Sequence, residues 1–220
     1  VNIGIIGAGN VGTGLTKHLV AGGHSVMLSF SLEMERLRTT AAALGASVGT
    51  VAEAVRFADV VVLATPWTAA SEALKQVGDA PQKKILWDCT NALKPDMSGL
   101  LVGTNTSGAE EIAKLVPWAR VVKAIPPFAE MLHSPSMLIG GKRVGVFVCG
   151  DDSEARAVVA KLVSDIQAEP VDVGPLVLAR FVEPAAMLLV QLAYTGGFGT
   201  RVGLSLMRET TGGTTHERDS

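Results

Sequence analysis

Charge is sparse in this chain. Asp, Glu, Lys and Arg make up 18% of its 220 residues, and they nearly cancel to a formal net charge of −2. Without a basic excess there is no field to hold nucleic acid or an anionic membrane surface. Aromatic residues amount to 5%, so a core has to be assembled from Val, Leu, Ile and Ala, the composition of buried parallel strands under helices. Cysteine is limited to Cys89 and Cys149, each inside an apolar run. That speaks against a disulfide framework and for buried thiols in a reducing compartment. The four histidines are dispersed, and no Cys/His spacing suggests a metal ligand set. No uninterrupted apolar run reaches the roughly 18 residues of a membrane span, the nearest being Ala185 to Tyr194. The first residues lack the charged start and cleavage site of a signal peptide. The expectation is a soluble, cytoplasmic protein.

What is abundant is apolar residues, at 48%, and glycine, at 24 positions. Short apolar runs alternate with longer helical stretches. Strands are expected at Ile3 to Ile6, Ser25 to Phe30, Ser47-Val48, Asp59 to Ala64, Lys84 to Asp88, Arg120 to Ala124, Gly145 to Cys149 and Glu169 to Val173. Helical patterns lie between most of them, and a long apolar helix runs from Pro175 to about Tyr194. Such alternation predicts an α/β fold with a doubly wound, mostly parallel sheet of Rossmann type, followed by a C-terminal helical segment. The expected division is a dinucleotide-binding domain over residues 1–174, a helical segment over 175–209 that serves the substrate cleft and dimer contacts, and a disordered tail over 210–220.

The most informative local signal is Gly7-Ala8-Gly9-Asn10-Val11-Gly12, which follows a strand and opens a helix. Gly7 permits the tight turn, Gly9 lets the backbone approach a pyrophosphate, and Gly12 lets helix and strand pack closely. The helix start then offers free N–H groups and the positive dipole end to phosphates. The second strand end decides between NAD and NADP. An acid there binds the ribose 2′-hydroxyl of NAD, and this chain reads Ser29-Phe30-Ser31 instead. Ser29 and Ser31 can bond a 2′-phosphate and Arg36 can pair with it, so NADP is expected ahead of NAD.

Further motifs stand at strand ends, where open α/β sheets bind ligands. They are Ala64-Thr65-Pro66-Trp67, then Asp88-Cys89-Thr90-Asn91, then Lys123-Ala124-Ile125-Pro126-Pro127-Phe128. Ala64, Thr65, Pro66, Asn91, Ala124, Ile125 and Pro126 are read as cofactor contacts. Trp67 is read as a wall of the substrate cleft and His133 as a substrate contact. The Pro pair forces a rigid turn. Arg180 and Glu183, at i and i+3, read as an ion pair on a helix face.

Taken in order, these motifs resemble the coenzyme F420-dependent NADP oxidoreductase family, over about Asn2 to Tyr194. The resemblance implies a Rossmann fold, NADP as cofactor, and hydride transfer between nicotinamide and 8-hydroxy-5-deazaflavin or a flavin-like ring. Ferric reductases and pyrroline-5-carboxylate reductases share the N-terminal pattern. Two positions depart from the family: Phe30 and Ser31 stand where members carry Ser-Arg, and Pro126 stands where they carry Asn. Hydride transfer between two conjugated rings rests on positioning and exclusion of water, so no catalytic acid or base is assigned. Two alternatives are a reductase of a small imine or carbonyl, with Thr65, Thr90 and His133 as candidate proton donors, and a non-catalytic NADP(H) sensor. The nearly all-round apolar stretch Ala185 to Tyr194 calls for cover on several sides, and a homodimer is expected to supply it.

Overall fold

The computed structural model describes residues 1–31 and 33–209, so the tail expected to be disordered lies outside the described residues. The chain runs β1 (Asn2–Ile6), α1 (Asn10–Ala21), β2 (Ser25–Ser29), α2 (Met34–Leu44), β3 (Ser47–Val48), α3 (Val51–Phe57), β4 (Val60–Leu63) and α4 (Trp67–Lys75). It continues β5 (Lys84–Asp88), α5 (Gly108–Leu115), β6 (Ala119–Lys123), α6 (Ala129–His133), β7 (Gly145–Gly150), α7 (Ser153–Asp165), β8 (Glu169–Gly174) and α8 (Ala179–Val190). The strands form one sheet in the order β3-β2-β1-β4-β5-β6-β7-β8. Neighbours are parallel except β6 and β7, which run antiparallel. The order reverses between β1 and β4, the switch point at which a crevice opens beyond the strand ends.

Strand periodicity divides the core. Ile3, Ile5, Val60, Val62 and Trp87 face one side with Leu15 and Leu19 of α1 and Val159 and Leu162 of α7. Ile6, Val61, Leu63 and Leu86 face the other with Val55 of α3, Leu74 of α4 and Ile112 of α5. Burial on both faces explains why these strands read as continuous apolar runs. Each fully buried Ile or Leu contributes about 1.5–3 kcal/mol.

Most expected boundaries agree with the structure to within a residue or two. β2 stops at Ser29 because Phe30 adopts φ 60°, a left-handed conformation rare for an aromatic residue. The short helix α6 had no sequence expectation; it packs Met131 and Leu132 into the core, with Leu132 against Gly14 of α1. The C-terminal helical region follows the expected span from Pro175 to about Tyr194 closely. A 3-10 turn, α8 and a π turn (Gln191–Thr195) join into a 20-residue helix, Leu176–Thr195, with a mean hydropathy of 1.7. By length and composition it is long and apolar enough to cross a membrane. Here it is fastened to α5: Arg180 donates to both carboxylate oxygens of Glu110 (2.9 and 2.7 Å), and Glu183 accepts from the Gly108 and Ala109 amides (2.8 and 2.9 Å). Val182 and Ala179 of this helix are buried in the second core layer.

Candidate functional site

The β1–α1 turn is shaped as a phosphate cradle. Gly7 has φ 116°, and a Cβ there would fall 2.5 Å from the Ala64 carbonyl oxygen. A Cβ on Gly12 would fall 1.9 Å from the Gly7 carbonyl oxygen. Both positions are therefore closed to any side chain. At Gly9 a Cβ would meet nothing within 4 Å among the described residues, so the space in front of it is open. Gly9 is also the N-cap of α1, with no side-chain cap and no acid in the first turn. The first amides of α1 thus stay available to an anion, which the dipole also favours.

From this turn a cleft of ≈ 470 Å³ opens along the C-terminal ends of β1, β4, β5 and β6, within the size range of small-molecule sites. Gly9, Asn10 and Val11 form its floor, with Ala64, Thr65, Pro66 and Trp67 after β4 and Thr90 and Asn91 after β5. Ile125, Pro126, Pro127 and Phe128 form the rim after β6, and α8 with the π turn closes the far side. The surface is mainly apolar, yet two buried polar atoms in it, Thr65 Oγ1 and Asn91 Oδ1, have no hydrogen-bond partner among the described residues. Unpaired buried polar atoms cost free energy, so atoms left this way in a cleft wall suit a ligand that supplies the partner. With the uncapped helix start and the open space at Gly9, they fit a dinucleotide running from pyrophosphate to nicotinamide.

Behind the wall lies a buried charge network that sequence reading missed. Lys123 Nζ donates to Asp88 Oδ2 at 2.9 Å and to the Thr90 carbonyl, and it pairs with Glu183 Oε1 at 3.2 Å. Lys123 and Asp88 are fully buried and Glu183 is 1% exposed. Burial alone would push the Lys123 ammonium down, but the two carboxylates outweigh it and hold it above its ordinary range. Asp88 also accepts from the Thr90 amide (2.9 Å) and hydroxyl (2.7 Å), and Asn91 Nδ2 donates to the Glu183 carbonyl at 3.4 Å. The network therefore sets the loop that carries Asn91. The signal was in the sequence: Lys123 and Glu183 are isolated charges in runs that must be buried.

Several expected contacts stand elsewhere. Ser29 is fully buried and its hydroxyl donates to the Ile5 carbonyl at 3.0 Å, so it braces β1 to β2 and does not face a phosphate. Ala124 is fully buried and its carbonyl accepts from the Trp87 indole at 2.7 Å; it backs the wall and does not line it. His133 does not line the cleft; its Nε2 lies 2.8 Å from the carbonyl of Asn10 in the cleft floor. Arg180 and Glu183 do not pair with each other, because each is taken by a partner on another element. Ser31 is half-buried just past β2, and its hydroxyl accepts from the Glu33 amide at 3.2 Å. Arg36 is exposed in the first turn of α2. Cys89 and Cys149 are free and buried; burial pushes the Cys149 thiol up to about 12 and the Cys89 thiol well above its ordinary value.

Residues 2–92 match the family described as NADP oxidoreductase, coenzyme F420-dependent. The chain is 28% identical over 191 residues to the metalloreductase STEAP3 of Rattus norvegicus, covering 86% of this chain and 37% of that protein. It thus spans little more than a third of the length of that relative. A crystal structure of a putative F420-dependent NADP reductase from Arthrobacter superposes with a TM-score of 0.82 at 25% identity, covering 94% of this chain and 99% of the other. A hypothetical protein from Sinorhizobium meliloti superposes with a TM-score of 0.71 at 29% identity, covering 81% and 87%. The cradle at Gly7 to Gly12 and the wall up to Asn91 fall inside the matched segment, and over residues 2–92 the chain is similar to the coenzyme F420-dependent NADP oxidoreductases.

Proposed function

We propose that this protein is an NADP-dependent oxidoreductase that transfers hydride between nicotinamide and a deazaflavin or flavin-like ring. The observation that carries the reading is the pairing of an uncapped α1 start with two buried polar atoms, Thr65 Oγ1 and Asn91 Oδ1, that find no partner among the described residues, in one apolar cleft. The α1 amides and Gly9 would hold the pyrophosphate. Thr65 and Asn91 would orient the nicotinamide end, while the rim from Ile125 to Phe128 excludes water. When bound, the nicotinamide supplies or accepts the hydride. NADP is preferred to NAD because no acid stands at the end of β2, where Ser31 and the exposed Arg36 remain for a 2′-phosphate. The match to the family model and the likeness to the Arthrobacter reductase support this reading.

The test is titration of NADPH and NADH into the purified protein, followed by addition of oxidised deazaflavin. Tighter binding of NADPH, with reduction of the ring, is the expected result. Binding of NADH as tight as that of NADPH would overturn the cofactor assignment, and binding without ring reduction would overturn the co-substrate.

We infer also that the protein works as a cytoplasmic homodimer. Phe181 and Leu188 on α8 are 72% and 56% exposed, although the helix is apolar nearly all round and needs cover on that face. Sedimentation of a monomer at micromolar concentration would overturn this inference.

A further inference from the structure

Hydride alone does not complete the reduction of a conjugated ring. Two electrons and one hydrogen reach a ring carbon, and the ring nitrogen or oxygen that becomes basic must also gain a proton. Among the described residues Glu130 is the one charged side chain in the wall of the cleft, and Tyr194 is the one tyrosine of the chain. The fold brings the two together there. Tyr194 sits in the π turn Gln191–Thr195, a wide helical turn of a kind frequent at functional sites. Gln191 Nε2 pins the turn by donating to the Met97 carbonyl at 2.6 Å. The Tyr194 ring meets Phe128 of the rim edge-on, with centroids 6.0 Å apart and planes at 85°. Its hydroxyl donates to Glu130 Oε1 at 3.4 Å.

We propose that Tyr194 delivers the proton that accompanies hydride transfer, and that Glu130 orients its hydroxyl. The proposal rests on the reading of the cleft as an oxidoreductase site. Two electrons and a hydrogen pass as hydride from a reduced nicotinamide to a ring carbon. The Oη–H bond of Tyr194 breaks as its proton goes to the ring heteroatom, and the half-exposed phenolate regains a proton from water. Burial first, and then the charge of Glu130, push the phenol above its ordinary range, so the donor stays loaded through the neutral and mildly alkaline range. Glu130 is the charged group that acts on it, from α6. The other titratable group in the wall is Cys89, held as a thiol by burial. The other hydroxyls are poorer candidates: that of Thr90 is committed to Asp88 at 2.7 Å, and an aliphatic hydroxyl is a far weaker acid than a phenol.

The experiment has two readouts. The first is tyrosinate absorbance of the free protein against pH, which a single tyrosine makes specific to Tyr194. The wild type is expected to titrate above a free tyrosine, and Glu130→Gln to move the midpoint down. An unmoved midpoint overturns the role of Glu130. The second is single-turnover reduction of oxidised deazaflavin by NADPH across pH. Tyr194→Phe keeps the edge-on ring and is expected to bind NADPH as the wild type does while transferring about 100-fold more slowly. In Glu130→Gln the alkaline fall in rate is expected at lower pH, in step with its phenol. A Tyr194→Phe rate equal to that of the wild type overturns proton delivery and leaves the oxidoreductase reading intact. Failure of the wild type itself to reduce the ring overturns that reading, and proton delivery to this ring with it.

Discussion

At the scale of single residues, the β1–α1 turn separates what the fold needs from what a ligand needs. Gly12 is closed by the Gly7 carbonyl, whereas Gly9 faces open space. Gly12→Ala is therefore expected to destabilise the protein by about 2–3 kcal/mol, the cost of forcing a methyl into packed backbone, as measured by urea unfolding. Gly9→Ala is expected to unfold at the same urea concentration as the wild type yet to bind NADPH on the order of tenfold more weakly, a change of about 1.4 kcal/mol. Equal NADPH affinity in Gly9→Ala would mean that the open space is not the pyrophosphate's. His18 supplies a pH test. Burial pushes its pKa below the ordinary 6.5, and its ring donates to the Leu132 carbonyl at 2.9 Å. The unfolded chain thus binds the proton more readily than the folded one. The stabilisation is present above pH 6.5 and is lost as pH falls below 6.5 through the lower folded value. A thermal midpoint that drops over this acid range, and drops less in His18→Gln, is the expected observation.

At the scale of elements, the Lys123 network joins β5, β6, α5 and α8 through three buried charges. Removing one member of such a set leaves the others uncompensated. Lys123→Met is expected to cost about 3–5 kcal/mol in unfolding free energy, as measured by urea unfolding. A loss under about 1 kcal/mol at neutral pH would show the network to be dispensable. This is also where sequence reading was strongest and weakest. The strands of the nucleotide-binding half were legible because both faces are buried, and the Gly7 to Gly12 turn was legible because its spacing answers to sterics. Partners across elements were not. Arg180 and Glu183 looked like each other's partners at i and i+3, but tertiary packing gave one to Glu110 and the other to Lys123. Ser29 looked like a phosphate ligand because a strand pattern does not say which hydroxyl is already used; it donates to Ile5. Helix α6 is five residues long, too short to show a helical period, and with it the meeting of Glu130 and Tyr194 went unseen.

At the scale of the whole molecule, the cleft draws its walls from both ends of the chain. Gly9 and Thr65 come from the segment that matches the family model, while Tyr194 and Leu204 come from the C-terminal segment. The Leu204 carbonyl accepts from the Gly145 amide at 2.7 Å, which ties that segment to β7. A chain truncated before Pro175 would lack α8, the far wall and the Glu183 partner of Lys123, and is expected to unfold at a lower urea concentration than the full chain.

The antiparallel junction of β6 and β7 rests on two registered pairs, Val122 with Gly150 and Lys123 with Cys149, while β7 and β8 stay paired from Gly145 with Glu169 to Cys149 with Gly174. The sheet is thus two parallel blocks stitched by a short seam, and amide hydrogen exchange should resolve them as two cooperative units. The cleft is lined by Gly9 on one block and Val146 on the other, so a ligand filling it would touch both. Bound dinucleotide would then act as a rivet across the seam, slowing exchange in β7 and β8 although the cradle for its phosphates follows β1 in the other block.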